Sequence, residues 1–156
     1  ADPASHRPIL LADLPPLVVL RPHVEVLTRE ARAVLPETVP HGSASAQAAE
    51  LAFLLTALQA GEWTEAGRRV MRDRLAEPFR APLVPVYEAV RQAALDAGAA
   101  GCALTGSGPA MFALTDGSAD ADGILTAMTA ASRSGGVNAG GWVAAVDTEG
   151  VRTVER

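Results

Sequence analysis

The hydrophobic pattern of the chain opens with a short apolar run and then takes on helical periodicity. Residues 17–20 are all apolar and are followed by Arg21-Pro22, which predicts a strand. A helix is expected to start with Thr28 as its N-cap. It should end near Leu35, because Pro36 disfavours helical geometry in the residue before it.

Three more helices are predicted in the middle of the chain. Over residues 43–60, five apolar residues recur at helical spacing on one face: Ala48, Leu51, Ala52, Leu55 and Leu58. Gly61 should end this helix. A second helix is expected over 62–75 and a third over 83–97. Pro82 and Pro85 lie at the entry of the third helix, where proline is tolerated.

The pattern becomes strand-like after Gly101. Residues 102–105 and 111–114 are apolar runs on either side of a Gly-Ser-Gly-Pro segment. A further helix is expected over 118–133, followed by a hairpin of 142–146 and 151–154. This order predicts an α+β sandwich, with helices packed on one side of a mainly antiparallel sheet.

Composition narrows the chemistry that the chain can perform. Its 156 residues fit one domain, and its net charge of −5 argues against general nucleic-acid binding. The 13 basic residues are all Arg, which excludes a Walker-type phosphate loop and a Schiff-base lysine. A single cysteine allows no internal disulfide, and the three isolated histidines offer no zinc spacing.

The location of the protein is expected to be cytoplasmic. The amino end has no signal-peptide pattern, and the apolar runs are far shorter than the ~18 residues that span a membrane. The chain opens at Ala1 without a Met. We therefore expect a processed product or a piece of a longer chain.

Three features could carry binding chemistry. Glycines in the segment 106–109 would let the backbone approach a ligand and leave amides free for an anion, although a plain tight turn is the alternative. Arg80, in a proline-stiffened loop, could recognise a carboxylate or phosphate, or be a surface arginine. Arg32 near a helix end is also favoured there by the helix dipole. Cys102 is expected to be a small buried strand residue.

Three segments together resemble one family. Residues 28–36 contain Thr-x-x-x-Arg-x-x-Leu-Pro, residues 73–80 contain Glu-Pro-x-Arg, and residues 104–109 contain Gly-Ser-Gly-Pro. The chain from about 17 to 147 resembles the carboxy-terminal half of homoserine kinases, which are GHMP small-molecule kinases. The first two motifs are fairly specific to homoserine kinases, whereas the third is shared by the whole superfamily.

The resemblance implies a function and a set of site residues. Such enzymes transfer the γ-phosphoryl group of ATP, with Mg²⁺, to the hydroxyl of L-homoserine, giving O-phospho-L-homoserine for threonine biosynthesis. Arg32 and Arg80 would clamp the amino-acid carboxylate, and Thr28 would lie near the substrate. Gly106, Ser107 and Gly108 would line the substrate and phosphate end. No catalytic residue is expected in this chain.

The resemblance also implies a ferredoxin-like domain over 17–156, preceded by an irregular lead-in over 1–16. The ATP loop of the superfamily is absent from these residues, and Glu50 stands where a basic residue is common. ATP and Mg²⁺ should therefore be bound mainly by a missing amino-terminal half, and the chain alone should be inactive. Three alternatives stay open: another GHMP kinase, a stand-alone ferredoxin-like binding or regulatory module, and a dimerisation domain forming a homodimer.

Overall fold

The computed structural model describes residues 14–70 and 73–147. The strands in these ranges are β1 (Leu17–Pro22), β2 (Gly101–Leu104), β3 (Met111–Leu114) and β4 (Ala139–Ala144). The helices are α1 (Thr28–Ala33), α2 (His41–Ala60), α3 (Trp63–Val70), α4 (Glu77–Arg80), α5 (Tyr87–Asp96) and α6 (Ala121–Ser134), with a 3₁₀ turn at Ala81–Leu83.

The four strands form one antiparallel sheet in the order β2-β3-β1-β4. Val19 of β1 stands opposite Phe112 of β3 on one side and Trp142 of β4 on the other. The predicted α+β class with an antiparallel sheet is confirmed. The last strand begins three residues earlier than predicted and pairs with β1. The expected hairpin partner, 151–154, lies outside the described residues.

The hydrophobic core lies between one face of this sheet and the helices α5 and α6. Alternate strand residues point to this face, so Val18, Leu20 and Met111 meet Ile124 and Met128 of α6, and all five are fully buried. Burying a large aliphatic side chain is worth roughly 1.5–3 kcal/mol. This layer is therefore the main source of stability among the described residues.

The helices α2 and α3 form a separate pair beside β2. They pack together through Ala57 and Ala66. A Cβ on Gly67 would lie 2.7 Å from the Ala100 Cβ, so glycine is what allows α3 to lie so close to the start of β2. The apolar stripe predicted to be buried on α2 is largely exposed, since Leu51 keeps 53% of its surface accessible.

Several predicted element boundaries are wrong. Leu27, not Thr28, is the N-cap of α1, and its carbonyl accepts the Ala31 N–H. The helix predicted to reach residue 75 ends earlier, because 73–76 is not helical. The helix predicted from 83 starts at Tyr87. Val84 stands before Pro85 and is extended, as a residue before proline prefers to be.

Candidate functional site

Arg80 lies at the end of the one-turn helix α4 and not, as predicted, in a loop. The turn is prepared by Asp73, whose Oδ1 accepts the backbone N–H groups of Leu75 at 2.7 Å and Ala76 at 2.9 Å. Pro78 occupies the first turn, where its missing N–H costs no helical hydrogen bond. These local contacts hold the segment that leads into α4.

The guanidinium of Arg80 joins three parts of the molecule. Its Nε donates to the carbonyl oxygen of Ala31 in α1 at 3.0 Å, and its Nη1 donates to the carbonyl oxygen of Gly106 at 3.0 Å. A guanidinium has five N–H donors, so three remain for a ligand. Arg80 is partly exposed. Arg80 is therefore a cation held in a fixed orientation, with N–H donors left to bind a ligand.

The glycine segment forms the tight connection between β2 and β3. Thr105 N donates to Ala110 O at 2.9 Å, and Gly108 N donates to Thr105 O at 3.0 Å. Gly106 (φ +55°) and Gly108 (φ +78°) adopt left-handed backbone conformations that favour glycine. The Gly106 and Ser107 amides donate to no atom of the described residues. The expectation of free amides thus holds for these two and fails for Gly108.

Arg32 and Thr28 lie one helical turn apart on the exposed side of α1, as their i, i+4 spacing requires. Neither side chain forms a hydrogen bond or ion pair with the residues that the structure describes. Between them, the buried Ala31 turns inward and accepts from Arg80. Arg80 therefore bonds to the residue that precedes Arg32 in α1. Since the same guanidinium bonds to Gly106, α1 lies near the glycine segment.

A cavity of about 270 Å³ opens between α4, α2 and the start of the glycine segment, and its lining includes neither Thr28 nor Arg32. Its walls carry two apolar strand residues, Ala103 and Phe112, together with Leu54 of α2, and its polar groups include Arg80 and Gly106. A larger cavity of about 640 Å³ shares Asp73 and Glu77 but is lined by neither Arg80 nor the glycine segment. We place the candidate site in the smaller cavity, where a fixed cation meets a glycine-rich turn.

Glu50 of α2 forms an ion pair with Arg74. Its Oε1 accepts Arg74 Nε at 2.8 Å and Nη2 at 2.5 Å, while Arg74 N donates to Gln47 Oε1 at 2.8 Å. The pair raises the pKa of Arg74 above its ordinary value, chiefly through the hydrogen bond with Glu50. It ties α2 to the segment that leads into α4. The pairing joins residues distant in sequence, so no local motif could have revealed it.

Sequence reasoning also missed the buried pair behind α4. The Tyr87 hydroxyl donates to Oε1 of Glu77, and both residues are buried. The backbone N–H of Leu104 donates to the same oxygen at 3.3 Å. Burial first, and then the Glu77 carboxylate, raise the pKa of Tyr87, so its hydroxyl stays a donor. The one signal in the sequence that pointed to Glu77 was the Glu-Pro-x-Arg motif, of which it is the first residue.

Cys102 is a buried strand residue, as predicted. Burial raises the pKa of its thiol to about 12, so it is not a thiolate nucleophile at neutral pH. Within 14–70 and 73–147, no group of three or more His, Cys, Asp or Glu residues could hold a metal ion. None of the helices in the same ranges is both long and apolar enough to cross a bilayer.

The class of protein follows from a family comparison. Residues 54–133, just over half of the chain, match the family model described as GHMP kinases C terminal. The chain therefore belongs to the GHMP kinase family, as a C-terminal domain. The match includes Arg80 and the glycine segment, whereas Thr28 and Arg32 precede it.

Individual relatives are more specific. The chain is 37% identical over 139 residues to a homoserine kinase of Chlorobaculum tepidum, covering 87% of this chain and 42% of the relative. It is 50% identical over 99 residues to a homoserine kinase of Thermococcus kodakarensis, covering 64% and 34%. The crystal structure of a homoserine kinase from Cytophaga hutchinsonii matches at 34% identity with a TM-score of 0.82, covering 87% and 43%. The chain thus spans less than half the length of these relatives.

Proposed function

We propose that this chain is the carboxy-terminal, substrate-side domain of an ATP-dependent homoserine kinase, which converts L-homoserine to O-phospho-L-homoserine in threonine biosynthesis. The observation that carries the proposal is the guanidinium of Arg80, fixed between α1 and the glycine segment with donors left over. A fixed planar fork suits a carboxylate, since each bond to it is charge-assisted.

The division of labour that we propose is based on the motif residues and is supported by the fixed position of Arg80. Arg80 and Arg32 hold the carboxylate of the amino acid, and Thr28 lies on the same exposed side of α1 as Arg32. The amides of Gly106 and Ser107, which donate to no described residue, would stabilise the negative charge that grows at the phosphate end. Phosphoryl transfer depends mostly on positioning and electrostatic stabilisation, which is the contribution that this domain makes.

ATP and Mg²⁺ would be bound mainly outside this chain. The ATP loop of the GHMP superfamily, which would hold the phosphates at a helix start, is absent from this sequence. The chain alone should therefore have no kinase activity. We further propose that the domain covers 17–156 after a lead-in of 1–16, and that the enzyme works in the cytoplasm.

A second copy of the chain is the partner that we propose in addition to the amino-terminal half. Trp142 of β4 is 51% exposed and follows Gly141, which faces Leu125 of α6, so the indole lies on the sheet face away from α6. A homodimer could cover it. Sedimentation of the complete enzyme should show a dimer that Trp142→Glu weakens, and a monomeric wild type would contradict this.

The function is tested on the complete enzyme, meaning this chain joined to its amino-terminal half. ADP formation from ATP should depend on L-homoserine and be much weaker with other alcohols that GHMP kinases phosphorylate. The chain alone serves as the control and should form no ADP. Preference for a different alcohol would assign the enzyme to another GHMP activity. Tight binding of an amino acid by the chain alone, without any kinase activity in the complete protein, would support a binding module.

A further inference from the structure

The short helix α4 cannot hold its own conformation. Four residues form barely one helical turn, and isolated helices shorter than about 12–15 residues are marginal in water. Its shape and direction must therefore come from contacts with the rest of the protein. Because Arg80 is its last residue, whatever holds α4 also sets the direction of that guanidinium.

The first residue of α4 is anchored in the interior. Glu77 is 7% exposed, and one of its carboxylate oxygens accepts both the Tyr87 hydroxyl from α5 and the Leu104 backbone N–H at the end of β2. A buried carboxylate is costly unless such donors compensate it. Tyr87 is itself 6% exposed and belongs to the core cluster. Glu77 is thus fixed by a side chain that cannot easily move.

The two ends of α4 hold the same hairpin at points two residues apart. Glu77 accepts from Leu104, and Arg80 donates to Gly106. The contacts of Glu77 with Leu104 and of Arg80 with Gly106 therefore form a closed ring. Arg80 links this ring to Ala31 of α1. A shift of Glu77 would rotate α4 and break the orientation of Arg80 relative to the glycine segment.

We propose that Tyr87 and Glu77 are positioning residues, which act through α4 to hold the Arg80 guanidinium in the orientation that binds the carboxylate of the substrate. Neither residue needs to touch the substrate. The proposal rests on the proposed function, because it assumes that Arg80 recognises a carboxylate. It assigns the Glu of the Glu-Pro-x-Arg motif an orienting role.

The test compares two alcohols in the complete enzyme: L-homoserine, and 3-aminopropan-1-ol, which is homoserine without its carboxylate. The ratio of their kcat/KM values measures carboxylate recognition. In Tyr87→Phe the ring still fills the core, but the hydroxyl is lost. We expect this ratio to fall on the order of 3- to 10-fold, as the net effect of one hydrogen bond would give. The KM for ATP should not change.

Two further variants separate positioning from general destabilisation. Glu77→Gln keeps an acceptor oxygen for both donors and should retain most of the ratio, whereas Glu77→Leu should lower it at least as much as Tyr87→Phe. Ser132→Ala is the matched control, since it too removes a hydrogen-bonded hydroxyl of a buried residue. The Ser132 hydroxyl donates to the backbone carbonyl of Val137. This variant should lower stability without lowering the ratio. Melting temperatures would show whether the variants being compared are equally stable.

The outcomes distinguish the positioning role from the function itself. If the wild-type ratio is near one, the proposed carboxylate recognition fails. If Arg80→Ala lowers the ratio but Tyr87→Phe and Glu77→Leu do not, recognition stands and the positioning role is overturned. Equal loss in Ser132→Ala would likewise overturn it. If the role is correct, Tyr87→Phe should lower the ratio no further in an Arg80→Ala background.

Discussion

The sheet with α5 and α6, and the region formed by α1, α4 and the glycine segment, are held together by different forces. The first is packed from fully buried aliphatic side chains such as Leu20 and Ile124. The second is held by hydrogen bonds from side chains to backbone atoms, of which those of Arg80 are central. Apolar burial is non-directional, whereas these bonds fix angles. Stability and substrate orientation are thus largely separate properties, and variants in the two regions should show different signatures.

The largest effect is expected in the apolar layer. Ile124→Ala should lower the free energy of unfolding by about 2–5 kcal/mol, because it removes a fully buried side chain and leaves a cavity. Urea unfolding of the chain measures it. Leu51→Ala on α2 is the control, since the side chain is exposed and the loss should stay within about 0.5 kcal/mol. Similar losses in both variants would contradict the assignment of the core.

Arg80→Ala should instead act on the substrate. Losing a charged hydrogen-bond partner should weaken L-homoserine binding by about 1.5–3 kcal/mol, seen as a higher KM in the complete enzyme. Arg133→Ala, at the exposed end of α6, is the matched control and should leave the KM unchanged. Unchanged KM and turnover in Arg80→Ala would show that Arg80 is an ordinary surface residue.

The ion pair of Glu50 and Arg74 should contribute less. The Arg74 side chain is 49% exposed and that of Glu50 17%, and ion pairs with an exposed partner are typically worth about 0–1 kcal/mol. Glu50→Gln should therefore cost under about 1 kcal/mol in urea unfolding, and the cost should shrink in high salt. A large cost that salt does not change would mean that the pair behaves as a buried one.

The smallest effect should come from Asp116, whose carboxylate ties α3 to the segment after β3. Hydrogen bonds from Ser118 and Thr64 hold its pKa at about 2, below the ordinary value of 3.8. The stabilisation is thus present above pH 3.8 and is lost as the pH falls towards 2. Asp116→Asn should flatten this part of the stability profile, measured by urea unfolding between pH 5 and 2. An identical pH dependence in both proteins would rule out this role.

The predictability of the fold differed between strands and helix boundaries. The strand at 111–114 was predicted at its observed bounds because apolar runs there are continuous. The start of β4 was missed because Gly140 and Gly141 carry no side-chain signal. Glycine is nevertheless required at 141, where a Cβ would lie 2.5 Å from Leu125 Cδ1 and 2.9 Å from the Val19 carbonyl oxygen. Tertiary packing selects that residue, and no local pattern shows it.

The helix α2 shows the limit of periodicity. Its spacing predicts a buried face, but Leu51 of that face is exposed, and Ala57, which lies outside it, carries the contact with α3. Periodicity indicates that a face is apolar and does not tell which surface will cover it. The start of α5 was predictable, since the rule for residues before proline already excludes a helix through Val84.

The candidate site was predictable in its motifs and not in its geometry. Arg80 contacts the glycine segment, but no motif predicted its bond to the Ala31 carbonyl or the bond between Glu77 and Tyr87. Such contacts join residues 10 to 49 positions apart and depend on the finished fold. The substrate-binding roles of Arg32, Arg80, Thr28, Gly106, Ser107 and Gly108 remain predictions.

The most direct test of the central proposal measures carboxylate recognition by Arg80. The complete enzyme and its Arg80→Ala variant would be assayed for kcat/KM with L-homoserine and with 3-aminopropan-1-ol, using Arg133→Ala as the control. If Arg80 binds the carboxylate, Arg80→Ala should lose on the order of 10- to 100-fold with L-homoserine and little with the amino alcohol. Equal losses with both substrates would contradict the proposed role.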